Sequence, residues 1–298
     1  MVAGSNLARG CGWLALGVLA ALPSDTRPAR AVDEIQLYNA EIAEVGQWTI
    51  QHHFNYAFNG RKEPEFPGGL VPNHALNATP EFAYGLTDWF ELGWYAPWAI
   101  DENQRFLSNF FKFRMLFVTP DAAKKNFFYG LNFEFDATTP PFSETRFDME
   151  IRPIIGWRNP QWEFIVNPIF DLGFGGDVDF VPAARLGRKL GEDFFLALEY
   201  YTDLGRPGAF PSFNEQSHQL YAVVDFKIGD VDVDFGLGYG LTPGSDRFMA
   251  KTILTYALPI AGKSQEEKAP MKTPVTMKSS MRPTSAAQLA SDPFAGMR

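Results

Sequence analysis

Cysteine is almost missing from this chain, which has one cysteine, Cys11, among its 298 residues. Cys11 precedes the apolar N-terminal stretch, whereas a lipoprotein cysteine follows it, so lipid attachment is not predicted. The chain after residue 31 has no cysteine at all. This absence excludes a disulfide framework, a thiolate metal site and a cysteine nucleophile from that part of the protein.

Long hydrophobic runs are missing too. The longest N-terminal apolar stretch, residues 12–22 (GWLALGVLAAL), is shorter than the roughly 20 residues that a transmembrane helix needs. It follows a short basic start and precedes the small-x-small site Ala29-Arg30-Ala31. We therefore predict that residues 1–31 are a secretory signal peptide cut after Ala31, with a retained short anchor as the alternative.

Basic residues are scarce in the body of the chain. The whole chain has 26 basic and 35 acidic residues, a net charge of −9. Residues 1–31 hold three basic and one acidic residue and residues 262–298 hold six and three, which leaves 17 basic and 31 acidic residues in 32–261. So acidic a body argues against nucleic acid as a partner.

Cofactor motifs are also absent: the chain has no Gly-rich phosphate loop and no nucleotide fingerprint. His52, His53 and His74 lack the spacing of the usual metal motifs, so neither a metal nor a cofactor is predicted.

What the chain does have is alternation. Runs of about ten residues alternate apolar and polar side chains, and turns separate the runs. In the first run Trp48, Ile50 and Phe54 fall on one face, and Thr49 and Asn55 fall on the other. We predict twelve such strands, at 47–58, 75–86, 90–100, 106–118, 127–138, 146–157, 162–174, 180–190, 194–203, 216–228, 231–241 and 247–258.

The apolar face could point either inward, in a soluble β-sandwich, or toward lipid, in a transmembrane barrel. The signal peptide, the 28 phenylalanines and an alternation of short turns with longer loops favour the barrel. Four tryptophans, Trp48, Trp89, Trp157 and Trp162, gather at the short-turn end, as in a membrane-interface girdle. We predict an all-β, closed antiparallel transmembrane β-barrel of about 12 strands in a Gram-negative outer membrane, with short periplasmic turns and longer extracellular loops.

Prolines count against a closed barrel, because proline removes a ladder donor and a barrel has no free edge. The prediction therefore needs bulges or a bent wall at the prolines inside predicted strands, namely Pro80, Pro97, Pro153, Pro168 and Pro182.

The predicted organisation has four parts. Residues 1–31 are the signal peptide, 32–46 are an N-terminal segment that acts as a plug or an extra strand, and 47–261 are the barrel. Residues 262–298, rich in Lys, Ser, Pro and Thr with a single aromatic, Phe294, form a disordered periplasmic tail.

Several stretches resemble a family of outer-membrane β-barrel transporters associated with meta-pathway phenol degradation. They include residues 33–56, 66–98 (FPGGLVPNHALNATPEFAYGLTDWFELGWYAPW), 133–136, 151–159 and 234–247. The resemblance covers residues 33–258 and implies an outer-membrane barrel that transports small molecules. It implies no catalytic residue and no particular substrate.

We predict from this a non-enzymatic channel for small solutes, aromatic or anionic ones included, with outer-membrane lipid and the solute as partners. A lumen of twelve strands is intermediate between a side-chain-filled barrel of eight and an open porin of sixteen. The cations Lys112, Arg114, Arg152 and Arg185 are the candidates for contact with an anionic solute. The alternative for these inward charges is a network of salt bridges with one another, since charges of both signs face inward. The further lumen-lining candidates are Glu134, Glu150, Asp171, Gly236, Gly238 and Gly240. The glycines could leave room for a solute or a plug, or could serve to bend the strand.

Two other functions fit the pattern less well. A structural barrel could anchor a periplasmic partner through its tail, 262–298. A membrane-embedded lipid hydrolase would need a serine within hydrogen-bond reach of an outward histidine such as His52, and no mid-strand serine faces outward.

Overall fold

The structure, a computed structural model, describes residues 34–176, 178–191 and 194–259. Alternating β-branched, aromatic and polar residues form sixteen β-segments joined by tight turns and longer loops. The segments are β1 (Trp48–Asn59), β2 (Leu76–Gly85), β3 (Phe90–Tyr95), β4 (Trp98–Ile100), β5 (Phe106–Ser108), β6 (Phe111–Val118), β7 (Phe127–Ala137), β8 (Phe147–Arg158), β9 (Trp162–Asn167), β10 (Phe170–Gly173), β11 (Val178–Phe180), β12 (Ala183–Leu190), β13 (Phe194–Asp203), β14 (Ser217–Ile228), β15 (Val231–Gly240) and β16 (Phe248–Ala257). One 3₁₀ turn, Ala122–Lys124, lies between β6 and β7.

The sheet closes on itself. β1 pairs antiparallel with β2 on one side and with β16 on the other, and antiparallel neighbours complete the ring through β3, β6, β7, β8, β9 and β12 to β15. Twelve strands therefore surround one interior. β4–β5 and β10–β11 form two hairpins that extend the wall at the long-loop end. The predicted closed antiparallel barrel of twelve strands is confirmed.

Four of the twelve predicted strands are interrupted, and three of the interruptions contain a proline. The gaps lie at residues 96–97, 109–110, 168–169 and 181–182. Pro80 and Pro153 lie inside continuous strands, but each faces a gap in its neighbour. Ile155 of β8 pairs with Val166 of β9, and Ile151 of β8 pairs with Phe170 of β10. Pro153 lies midway between Ile151 and Ile155, so it lies opposite Pro168, inside the gap between β9 and β10. The missing donors thus coincide with places where the ladder is already broken, which answers the objection that prolines raise against closure.

Burial is inverted relative to a soluble protein, which excludes the sandwich. On β7, Asn132 and Glu134 are both 0% exposed, whereas Phe127 is 59% and Tyr129 61% exposed. The same alternation repeats along β6, β8 and β9. Polar residues therefore face the interior and apolar residues face outward, as lipid requires.

The two ends of the barrel differ as predicted. Short connections such as Gly229-Asp230 lie at the end where the described chain enters and leaves, since the Leu258 N–H donates to the Trp48 carbonyl over 2.8 Å. Trp48, Trp89, Trp157 and Trp162 lie at this end, each 38–44% exposed. The predicted signal peptide, 1–31, and tail, 262–298, lie outside the described residues. Within those residues, no helix is long and apolar enough to cross a membrane.

Candidate functional site

The interior of the barrel contains a piece of the chain itself. Residues 34–44, which we call the inner segment, run along the lumen before β1 begins. Near the short-turn end the Ala43 N–H donates to Glu91 Oε2 over 2.6 Å. Near the long-loop end Lys112 Nζ lies 3.3 Å from Glu34 Oε1. Between these points most of its hydrogen bonds are to side chains of β3 and β6 to β9. Ile35 packs against the opposite wall, with Ala57, Tyr221 and Met249 in one apolar cluster. The segment therefore fills the interior over most of its height.

Tyr38 is the most completely held residue of the inner segment. Its hydroxyl donates to Glu134 Oε1 over 2.7 Å and lies 2.9 Å from the hydroxyl oxygen of Tyr95. The Arg152 guanidinium carbon lies 4.3 Å from the centre of its ring. The side-chain amide of Asn167 accepts from the Tyr38 N–H over 2.7 Å and donates to the Tyr38 carbonyl over 3.1 Å. Tyr38 is not among the site residues predicted from the sequence, although a tyrosine in an otherwise acidic and aliphatic stretch was a signal for it.

The predicted cations on this side of the lumen all have carboxylate partners. Arg114 contacts Glu81 at 2.7 Å and hydrogen-bonds Glu91. Arg152 forms two hydrogen bonds to Glu150, of 2.6 and 2.8 Å. Such fork-to-carboxylate pairs are the strongest and most rigid ones available to arginine.

Lys112 completes this group. Its ammonium lies 3.3 Å from Glu134 and 3.8 Å from Asp136, besides Glu34. The structure thus brings four predicted site residues, Lys112, Arg114, Glu134 and Arg152, around Tyr38, whereas Glu81, Glu91 and Asn167 were not singled out from the sequence.

A second ionic group lies on the opposite wall. Arg185, on β12, hydrogen-bonds Glu199 and Asp225. Lys251, on β16, contacts Glu199 at 2.5 Å and Asp234 at 3.2 Å. Asp225 is 34% and Asp234 21% exposed in their side chains, so water reaches the carboxylates of this wall.

Asp171 is separate from both groups. It lies on β10, in the hairpin that extends the wall at the long-loop end, opposite Glu150 of β8 and Asp179 of β11. It is half-buried, and the structure does not bring it to the cations around Tyr38.

The three predicted glycines lie on the inward row of β15, but the space above them is filled. A Cβ at Gly238 would lie 2.3 Å from the ring of Tyr221, which packs flat on the strand. At Gly236 it would meet Val223 and Lys251 at 3.0–3.1 Å, and at Gly240 it would meet the backbone of Asp246 at 2.2 Å. The glycines therefore make room for neighbouring side chains and for a loop, and do not open a passage.

A loop covers the lumen at its long-loop end. Residues 60–72 share a cavity of about 20 Å³ with the inward-facing Ala57, Asn77 and Met249. Arg61 contacts Glu65 at 3.2 Å and Asp246 at 3.5 Å across this cover. Burial raises the pKa of the Glu65 carboxyl above its ordinary value, even though Arg61 pulls it down.

His52, the histidine considered for hydrolysis, and the histidines His53 and His218 lie in separate environments. His52 faces outward and stacks on Phe54, with 4.2 Å between ring centres, and its Nε2 atom has no hydrogen-bond partner. His53 faces inward, 3.4 Å from Glu81. The ring of His218 bonds Tyr200 and Gln216. In the parts of the chain that the structure describes, no group of three or more His, Cys, Asp or Glu side chains is arranged to hold a metal ion.

No family model and no curated protein matches this chain in sequence. Solved structures do match in fold. The COG4313 outer membrane channel from Pseudomonas putida F1 superposes with a TM-score of 0.54 at 11% identity, over 76% of this chain and 100% of that chain. The KdgM porin gives 0.48 at 7% identity over 71% and 99% of the two chains, and the NanC porin 0.46 at 7% over 70% and 98%. The similarity at 11% identity is one of fold alone, and the association with phenol degradation stays a prediction. The chain has the fold of an outer-membrane β-barrel, a fold that points to a Gram-negative outer membrane.

Proposed function

We propose that the protein is an outer-membrane channel for small solutes and that the conformation described here is its closed state. The observation that supports this is the closed ring with an apolar exterior and an ionised, hydrogen-bonding interior. A wall of this kind encloses a polar path across lipid. In this conformation the inner segment and the loop at residues 60–72 occupy the path.

The inner segment has the contacts of a removable closure. It contributes five apolar or aromatic core residues, Ile35, Leu37, Tyr38, Ala40 and Ala43. Its other contacts are hydrogen bonds and ion pairs, which water can replace when the segment withdraws. The net cost is about 0.5–1.5 kcal/mol for a neutral hydrogen bond and about 1.5–3 kcal/mol for one to a charged group. The wall keeps its own ion pairs, such as Arg152–Glu150, without the segment.

We propose small polar or aromatic solutes that carry no net charge, and we set aside the preference for anions. The predicted preference for anions requires cations that are available to form an ion pair with the solute. Each of Lys112, Arg114, Arg152 and Arg185 has at least one carboxylate within 3.5 Å. A paired cation in an acidic wall attracts an anion weakly.

Planar-bilayer recording of the refolded mature chain tests this function. We expect rare openings in the wild type and at least tenfold more open time in Tyr38→Ala, because that substitution removes the anchor of the inner segment. Val45→Ala is the matched control, since Val45 precedes β1 with a side chain that is 56% exposed. If neither protein conducts, the channel proposal fails; if Tyr38→Ala and wild type conduct alike, the inner segment is not the closure.

The same recordings address the structural alternative. A chain that ends at residue 261 should conduct as the full mature chain does, because the wall is complete at β16. Loss of envelope integrity with conduction intact would instead support a tail that anchors a periplasmic partner.

A further inference from the structure

The pocket that holds the side chain of Tyr38 is built by the wall. Its hydroxyl end is formed by Glu134 of β7, Tyr95 of β3 and Arg114 of β6, whose Nη1 donates to the hydroxyl oxygen over 3.3 Å. Its ring faces Arg152 of β8. The opposite end is the amide of Asn167, on β9. Neighbouring strands of the barrel thus contact the Tyr38 side chain at three places: one face of the ring, the hydroxyl group and the backbone.

Arg152 and Glu134 are positioned independently of Tyr38. Arg152 is fixed by two hydrogen bonds to Glu150. Glu134 accepts from Asn132 over 2.9 Å and pairs with Lys112 at 3.3 Å. These partners lie in the wall, so the two charged side chains keep their positions when Tyr38 leaves, as in a preorganised binding site. The amide of Asn167 bonds the backbone of Tyr38 and so holds the inner segment rather than the ring.

The polar groups of the pocket select among aromatic compounds. Glu134 can only accept a hydrogen bond when ionised, so the group that meets it must donate one. A phenol can donate to Glu134 and accept from Arg114, as the Tyr38 hydroxyl does. A benzoate can accept from Arg114, but it has no proton for Glu134 and would place a second carboxylate beside it. The guanidinium of Arg152 over the ring favours an electron-rich aromatic face.

We propose that this pocket is a solute-binding site for uncharged hydroxyaryl compounds, and that Tyr38 occupies it as an intramolecular ligand which such a solute displaces. The inference deepens the proposed channel function and rests on it for its physiological meaning. The solute that the channel admits would thereby also release the inner segment.

Calorimetry of ligand binding to the Tyr38→Ala variant in detergent tests the pocket, and it does not depend on whether the protein conducts. The probes are phenol, toluene and benzoate, which have similar size and differ in the donor and the charge. We expect phenol to bind at least tenfold more tightly than either of the others. Equal binding of toluene would show an apolar cavity only, and equal binding of benzoate would remove the role of Glu134; either result overturns the proposal.

Two further variants separate a specific site from a cavity. Glu134→Gln in the Tyr38→Ala background should narrow the ratio of phenol to benzoate affinity at least fivefold, because the repelling charge is gone. Tyr38→Phe keeps the ring and loses the hydroxyl. In bilayers this variant should open at about tenfold lower phenol concentration than the wild type, since its internal ligand is held less well. It also provides a test if Tyr38→Ala does not refold, and an unchanged phenol dependence would then contradict displacement.

The two proposals can fail separately. Selective phenol binding without conductance would support the proposed binding site and contradict the proposed channel function. If the protein conducts, but phenol neither increases the conductance nor binds selectively, the proposed binding site is contradicted and the proposed channel function is not.

Discussion

Lys251 and Glu199 are an ion pair withdrawn from water, with both side chains 1% exposed and 2.5 Å between Nζ and Oε2. Pairing of this kind offsets a large desolvation cost, so loss of one partner is expensive while loss of both is tolerated. The barrel interior is full of such pairs, and its stability therefore depends on their balance more than on any one charge.

Lys251→Met should destabilise the refolded barrel by about 3–5 kcal/mol, because it leaves Glu199 with Arg185 as its remaining cation. Adding Glu199→Gln should recover most of that loss. Urea unfolding followed by tryptophan fluorescence measures both. Lys227→Met is the control: Lys227 is 43% exposed and pairs with Asp232 at 3.0 Å, so its loss should cost less than about 1 kcal/mol. If the two lysine substitutions lower the free energy of unfolding equally, burial does not determine how much these ion pairs contribute to stability.

The sequence predicts which residues face inward but not which of them meet. Period-two alternation places Arg114 and Glu134 on the inward face because a strand has only two faces. Pairings such as Arg114 with Glu81 depend on register and on rotamers across strands, which no single strand encodes. The position of Tyr38 among them depends on the path of a segment without periodicity, and alternation carries no information about such a path.

Whole strands are recovered well from the sequence, because alternation and turn residues recur at every hairpin. The interruptions are recovered in part. A proline inside a strand predicts an interruption of the hydrogen-bond ladder, and gaps do lie at Pro97, Pro168 and Pro182. The gap at Asn109 and Phe110 has no proline. It adjoins the gap at residues 96–97, where the Asn109 N–H donates to the Pro97 carbonyl over 2.9 Å. A break in one strand thus propagates to its neighbour, which only the assembled sheet reveals.

Pro153→Val should bring no gain in stability, since the restored N–H faces a gap in the adjacent strand and finds no ladder acceptor there. Leu131→Pro moves the proline to the opposite residue on β7, where both neighbours are continuous. That substitution should cost about 1–3 kcal/mol for a ladder bond lost and an acceptor left buried. Thermal unfolding of the two variants beside wild type measures the difference. A gain of 1 kcal/mol in Pro153→Val would show that the ladder is not interrupted there.

As a whole molecule the barrel has an acidic interior. Carboxylates outnumber cations among the buried, inward-facing ionised residues of the described strands. The acids are Glu81, Glu91, Glu134, Asp136, Asp148, Glu150, Glu163 and Glu199, and the bases are Lys112, Arg114, Arg152, Arg158, Arg185 and Lys251. Charge rings of one sign set ion preference in narrow pores.

The open channel of Tyr38→Ala should therefore prefer cations, with a permeability ratio of K⁺ to Cl⁻ above one in a KCl gradient. Asp234→Asn in that background should lower the ratio, because this carboxylate is 21% exposed on the wall that water reaches. Reversal potentials give both values. A ratio below one would show that the paired cations still control the passage.

The inner segment also constrains how the molecule is assembled. It is joined directly to β1, and β1 with β16 forms the last junction of the ring in chain order. Its charged and backbone hydrogen bonds lie on β3 and β6 to β9, in the middle of the sheet. Ile35 packs with residues of β1, β13, β14 and β16, and Gln36 contacts Gln51 of β1 at 3.4 Å. We expect the growing sheet to bind the segment first through the middle strands and to complete its packing when β1 and β16 join. The segment then need not be threaded in afterwards, and the inserted barrel would start in the proposed closed state.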